Sequence, residues 1–238
     1  MSRTLGIMQP YFMPYLGYIS LIKHTDEFIL FDTVQFIRHG WIERNRVLKP
    51  SEGWQYIQVP LIKNNGRDTL IKDILINDSE DWRKKILAQL QHYKKSAPYF
   101  YSVTNLLKDI LSFSGNDITH LNQHALKLIC QYLNISKGIH VFSEMDLEIE
   151  PASAPDEWAL NICKSMNASS YINPIGGTEF FDRTKYVNAG IDISFQKMEL
   201  MEYDQKRTPF EPGLSIIDVM MFNTPGETNK LLDAFTLI

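Results

Sequence analysis

The chain has 238 residues, 44% hydrophobic and 22% charged, a composition that supports a packed core and excludes a mainly disordered chain. Lys and Arg number 24 against 28 Asp and Glu, and the resulting net charge of −4 offers no general attraction to phosphate backbones or anionic membranes, so nucleic acid is not an expected partner. Gln9 and Pro10 break the N-terminal apolar stretch too early for a signal-peptide core or a membrane span, and Cys130 and Cys163 sit in apolar helical patterns, so a reduced, cytoplasmic setting without membrane insertion is expected.

In chain order, Thr4–Met8 reads as a short buried strand. The Pro- and Gly-punctuated residues 9–18 must then leave it as a loop, before a short helix that begins around Ile19. Residues 27–31 form a continuous apolar run of the kind found in sheets covered on both faces, so the chain opens as a βαβ unit. Residues 54–62 and 70–76 alternate with β-branched and aromatic side chains, and the turn-like residues 63–68 between them predict a hairpin. Ser79 or Asp81 is placed to cap a helix running to about His92, and two further helices follow at 99–113 and 119–133. After a strand at 139–142 the pattern alternates again: helix 155–166, strand 171–173, helix 182–189 closed by Gly190, and strand 191–195. The expectation is a single α/β domain over 1–238, a largely parallel sheet flanked by helices, with an inserted antiparallel hairpin and a mainly helical segment at about 79–134.

In such sheets ligands lie outside the carboxyl ends of strands, so the first strand-loop-helix junction is the first place to look. There Gln9 is suited to bond a base or sugar, Gly17 to let backbone approach a ligand, and Tyr11, Tyr15 and Tyr18 to stack or donate hydrogen bonds. The alternative is a loop merely stiffened by its prolines and aromatic rings. After the second strand, residues 32–46 gather Asp32, Arg38, Trp41, Arg44, Asn45 and Arg46. Arginine forks grip phosphate or carboxylate bidentately, and an aspartate at a strand end can orient a hydroxyl or hold a metal. The competing reading is a solvated β-ribbon with charges alternating outward. Asn173 with Gly176 and Gly177 ends another strand with room for a ligand, or with a plain turn. Residues 210–218 open a helix, where Ser215 and Asp218 serve either as cap and first-turn charge or as site groups.

His120 and His124 stand four apart on a helix, a spacing that can place two imidazoles on one metal, but no Glu occupies the position between them that zinc peptidases use. Gly-x-Ser-x-Gly, Gly-x-x-x-x-Gly-Lys-Ser/Thr and Gly-x-Gly-x-x-Gly are all absent, which removes the main support for hydrolase-elbow, P-loop and dinucleotide readings.

Four segments together resemble the WbqC-like family: Gly6-Ile7-Met8-Gln9-Pro10-Tyr11-Phe12 with Pro14-Tyr15 and Gly17-Tyr18; Val34-Gln35 with Gly40-Trp41 and Arg44-Asn45-Arg46; Tyr171-Ile172-Asn173-Pro174 with Gly176-Gly177; and Leu214-Ser215-Ile216-Ile217-Asp218. Thr33 and His39 depart from the pattern, standing where a second acid and a basic residue are expected. The resemblance implies a place among bacterial O-antigen and capsule genes and a nucleotide-linked amino sugar as partner. On that basis the expected activity is amide formation between an acyl or amino-acid group and the sugar amine, as an acyl or aminoacyl transferase or an ATP-dependent ligase. Arg38, Arg44 and Arg46 would bind the pyrophosphate, the three tyrosines would pack the base or sugar, and Asp32 or Asp218 would take the amine proton. The N-terminal unit also resembles the nucleotidyltransferase group that includes pantothenate synthetase, with Tyr15-Leu16-Gly17-Tyr18 at the place of its His-x-Gly-His motif. That likeness implies ATP as co-substrate; without it, acyl-CoA serves as donor. The rival from another class is a non-catalytic sugar-nucleotide-binding or scaffold protein of the polysaccharide assembly machinery.

Overall fold

The computed structural model describes residues 3–62 and 68–238. A six-stranded sheet is built from β1 (Thr4–Met8), β2 (Glu27–Leu30), β5 (Gly138–Val141), β6 (Ser170–Pro174), β7 (Asp192–Met198) and β8 (Phe235–Leu237), while β3 (Arg44–Leu48) and β4 (Trp54–Gln58) form a separate two-stranded ribbon. The order is β5-β2-β1-β6-β7-β8, parallel throughout except for the antiparallel edge strand β8. The helices are α1 (Leu16–His24), α2 (Trp82–Gln89), α3 (Phe100–Leu111), α4 (Ile118–Tyr132), α5 (Glu157–Ser165), α6 (Arg183–Asn188), α7 (Ile216–Phe222) and α8 (Pro225–Leu232).

Because successive strand residues point to opposite faces, each central strand serves two cores. Phe28, Leu30, Ile139, Val141 and Ile172 pack with α1, α3, α4 and α7 on one side. Leu5, Ile7, Ile29 and Tyr171 pack with α5 and α6 on the other. Among the described residues no helix is long and apolar enough to cross a membrane.

Three expectations change. First, α1 starts at Leu16, so Gly17 and Tyr18 belong to the helix and the loop after β1 ends at its N-cap, Tyr15. Second, the hairpin partner of 54–58 is 44–48, not 70–76. The shorter turn closes because Gly53 takes the left-handed conformation (φ +81°) and its carbonyl accepts from the Lys49 amide at 3.2 Å. Residues 70–76 instead hold one 3-10 turn, Ile71–Asp73, and touch neighbours through isolated bridges from Leu70 to Gln35 and from Ile76 to Leu61. The expected turn at 63–68 falls outside the described residues except at Asp68. Third, α8 and β8 extend the C-terminal region beyond the predicted elements. The helix is announced by a capping box in which Thr224 and Glu227 satisfy each other's backbone amides, with Pro225 in the first turn.

Candidate functional site

Chain direction diverges at the middle of the sheet: β1 leads through α1 to β2 on one side, while β6 leads to β7 on the other. Such a switch point leaves a crevice at the carboxyl ends of the two strands. Here the crevice is a pocket of about 410 Å³ whose floor includes Met8 at the end of β1 and Pro174 at the end of β6. Tyr11, Pro14, Tyr15 and Tyr18 form one wall, Trp41, Asn45 and Arg46 another, and Ile175, Gly176, Leu200 and Gly213 the rest. Residues from all four segments singled out in the sequence therefore reach one cavity.

The loop that carries the tyrosines is held through its carbonyls. Asn122 of α4 donates to Pro10 O and to Ile42 O, both at 2.9 Å, and Asn45 of β3 donates to Phe12 O at 3.2 Å. Ser215, the N-cap of α7, donates its hydroxyl to Met13 O at 2.6 Å while accepting from Ile217 N, and Ile216 N donates to Pro14 O at 2.7 Å. Tyr18 donates its hydroxyl to Gln9 O at 2.8 Å. These contacts hold Met13 at φ +42°, a left-handed conformation that costs a non-glycine residue about 1 to 2 kcal/mol.

Among the described residues Arg46 is the only cation lining the pocket. Its guanidinium lies 5.6 Å from the Trp41 ring and 5.2 Å from the Trp54 ring, within cation–π range of both, and one terminal nitrogen donates to Gly213 O at 3.0 Å. Its Nε is buried with no partner, and no carboxylate pairs with it among the described residues. Arg44, on the same face of the ribbon, turns away: it covers the Tyr56 ring at 4.1 Å and bonds His39 O. Arg38 is exposed and does not line the pocket.

The hydroxyls of Tyr11 and Tyr15 make no hydrogen bond among the described residues, and burial raises the pKa of both above the ordinary phenol value. At neutral pH they are donors rather than bases. Tyr18 differs. It is fully buried, with Tyr11 5.4 Å away ring to ring and Phe28 edge-on at 5.2 Å.

The two candidate carboxylates lie outside the pocket wall. Asp32, at the exit of β2, accepts from Ser143 N at 3.0 Å and from Ser143 Oγ at 2.6 Å, stitching the loops after β2 and β5 together. The hydroxyl it orients is thus the protein's own. Asp218 in α7 is fully buried and accepts from the hydroxyls of Tyr93 and Tyr203 and from the Gln205 amide. Burial raises its pKa to about 6 against the opposing pull of those three donors.

Gln9 contributes its carbonyl to Tyr18, and its side chain does not line the cavity. Asn173 is occupied by Tyr171 Oη, which donates at 2.8 Å, and by its own donation to Pro174 O. Two of the glycines make room for protein rather than ligand: a Cβ on Gly17 would stand 2.5 Å from the Tyr15 ring, and one on Gly177 would stand 2.1 Å from the Asn173 amide. Gly176 alone is open on that side, and it does line the pocket.

Trp54 and Asn122 were not legible as site residues. Trp54 needs the β3–β4 register to bring it beside Arg46; Asn122 carried a usable signal, being an amide among Ile118, Leu121, Ala125 and Ile129 on the buried face of α4. His120 and His124 part company. The former bonds Asp117 at 2.7 Å and Glu144 at 2.6 Å, the latter approaches Asp109 O and the Phe113 ring. Among the described residues no group of three or more His, Cys, Asp or Glu side chains is placed to hold a metal ion. Cys130 and Cys163 are free and buried, and burial pushes both thiols up to about 12, which leaves them un-ionised.

A model of the WbqC-like protein family matches residues 9–230. The chain is also 30% identical, over 232 residues and 97% of each chain, to the uncharacterized protein Rv1507c of Mycobacterium tuberculosis. No solved structure matches it.

Proposed function

This chain belongs to the WbqC-like protein family, and from that premise and the pocket between β1 and β6 we propose that it joins an acyl or amino-acid group to the amine of a nucleotide-linked amino sugar in bacterial surface-polysaccharide assembly. The observation that carries this reading is the aromatic pocket with a single acid-free arginine. Its volume of about 410 Å³ suits a small organic ligand, and the Tyr11, Tyr15 and Trp41 rings offer faces for a base or sugar. Arg46, braced by two indoles, presents its remaining N–H groups to a phosphate oxygen.

In this mechanism the amine attacks the acyl carbonyl, a C–N bond forms, and the leaving group departs with the acyl carbon's former bonding pair. The amine proton passes to the leaving group or to water, since among the described residues no carboxylate or imidazole lines the cavity. The protein supplies position, and the Tyr11 and Tyr15 hydroxyls supply donors to the developing oxyanion. A thioester such as acyl-CoA fits as donor better than ATP at this loop. The Tyr18 hydroxyl, which stands at the place of a phosphate-binding histidine in the nucleotidyltransferase pattern, is already committed to Gln9 O.

Calorimetric titration with nucleotide-linked amino sugars tests the binding step. Arg46→Lys should weaken binding by roughly tenfold because a point charge cannot reproduce the fork, while Arg44→Lys should leave it nearly unchanged. Tyr15→Phe should keep its melting temperature yet lose roughly a hundredfold in amide formation, followed by mass spectrometry of the sugar product with acyl-CoA present. Absence of binding by any nucleotide-linked amino sugar, or equal effects of the two lysine substitutions, would refute the reading.

A further inference from the structure

A second hollow, of about 290 Å³, opens where β3 runs out into its turn, three residues beyond Arg46 and so about 10 Å further along an extended chain. Three separate segments bring cations to its wall: Lys49 from the β3–β4 turn, Lys95 from the 3-10 turn Gln91–Lys95, and Lys206 with Arg207 from the loop after β7. No Asp or Glu lines it among the described residues. In a chain with more acids than bases, such a gathering is not a by-product of composition. Mutual repulsion among the cations opposes it unless an anion relieves them.

Two of the four charges have work within the fold. The Arg207 guanidinium donates to Lys49 O, Gly53 O and Ser51 O, which pins the loop to the turn and keeps the hollow shaped before anything binds. Lys206 pairs with the exposed Asp204. Lys49 and Lys95 have no side-chain hydrogen bond or ion pair among the described residues. At the rim His92 bonds Gln89 O through Nδ1 at 2.9 Å, so that nitrogen carries the hydrogen, and Nε2 is left as a buried acceptor with no partner.

We infer that this basic hollow is an anion-binding site for the phosphates of a polyanionic ligand, a diphosphate in particular, separate from the aromatic pocket and independent of the reaction proposed for it. Two unpaired ammonium groups offer charge to two phosphate groups, and the partnerless His92 Nε2 is an acceptor for a P–O–H hydrogen. Nucleoside diphosphates and coenzyme A both carry such a group.

Titration of the full chain with inorganic pyrophosphate at low ionic strength tests the site. The wild type should bind, and Lys49→Gln/Lys95→Gln should weaken binding by roughly tenfold, since both residues line the hollow and their loss removes two local charges. Arg46→Gln should leave pyrophosphate affinity within about twofold. The His92 ring resonance should move on binding in the wild type. Competition by coenzyme A or by a nucleoside diphosphate then identifies which source of phosphate the site accepts. No binding by the wild type, or an effect of Arg46→Gln equal to or larger than that of the double lysine variant, would overturn the assignment.

Discussion

Asp218 is where the folded structure and the chemistry of a catalytic base make opposite demands, and its replacement by Asn separates them. The carboxylate is fully buried and its pKa stands at about 6, against 3.8 for an aspartate in water. In the unfolded chain it ionises near 3.8. Between those two values the native state therefore holds a proton that the unfolded state has lost. The sign follows directly: the raised pKa contributes stability that is fully present below about 3.8 and is lost as pH rises through about 6. At roughly 1.4 kcal/mol per pKa unit, the loss amounts to about 3 kcal/mol by pH 7, the cost of keeping the anion out of water that Tyr93, Tyr203 and Gln205 do not fully offset. Asn has the same shape and no charge to titrate, and the tyrosine hydroxyls can rotate to meet its amide. Urea unfolding of both proteins from pH 4 to pH 7 isolates this group, because every other titration cancels in the difference. Because part of the loss already lies below pH 4, the wild type should lose about 2.4 kcal/mol relative to Asp218→Asn across that range. A difference that does not vary with pH would show that Asp218 does not titrate with a raised pKa, and the buried-network account would fail with it.

Asn122→Ala removes both donors that hold Pro10 O and Ile42 O, leaving two buried carbonyls unpaired. It should cost about 2 to 4 kcal/mol in chemical denaturation, with ligand binding in the pocket weakened even in the folded fraction. For His120, burial favours the neutral ring, but the Glu144 and Asp117 carboxylates outweigh it and raise the pKa. Its contribution to stability is therefore complete below the ordinary imidazole value and is lost as pH rises through the folded one; NMR titration should place its midpoint above 6.5, and Glu144→Gln should lower it.

The parts of the fold legible in the sequence are those whose apolar pattern has one interpretation. Residues 27–31 could only be a covered strand, and the helices at 99–113 and 119–133 show an apolar stripe at helical spacing. The β3–β4 ribbon was legible only in pieces, 54–62 as a hairpin strand and 32–46 as a ribbon in the competing reading; its pairing was not, because the alternation of β3 is carried by Arg44 and Arg46 against Asn45 and Val47, a polar pattern that reads first as a binding segment. Both readings describe it: the ribbon is real, and one of its arginines lines the pocket. For the site, sheet logic was enough to choose the segments but not the atoms. Asp32 and Asp218 stand out as acids in apolar surroundings, and a sequence cannot say whether such an acid faces a ligand or accepts from Ser143, Tyr93 and Tyr203. Gly17 and Gly177 posed the same problem, since a missing side chain makes room without saying for what.

The pocket depends on a division of labour within residues 9–15. The carbonyls of Gln9, Pro10, Phe12, Met13 and Pro14 are each taken by a donor from elsewhere, and those donors come from α1, α4, β3 and α7. Each such bond is worth about 0.5 to 1.5 kcal/mol net, which together exceeds the strain of holding Met13 in its left-handed conformation. A loop tied at five points to four elements has little freedom left to lose when a ligand arrives, so contact energy at this wall goes to binding rather than to ordering. Almost every polar group on the loop is consumed in the tying. Among the exceptions are the hydroxyls of Tyr11 and Tyr15, kept protonated by burial on residues that line the same cavity as Arg46. Neutral donors and one fixed cation suit a ligand that brings its own negative charge, or develops it during reaction, and among the described residues no carboxylate or imidazole joins them in the lining. What the described lining contributes to chemistry in this pocket is therefore the placing of reactants and the stabilising of their negative charge.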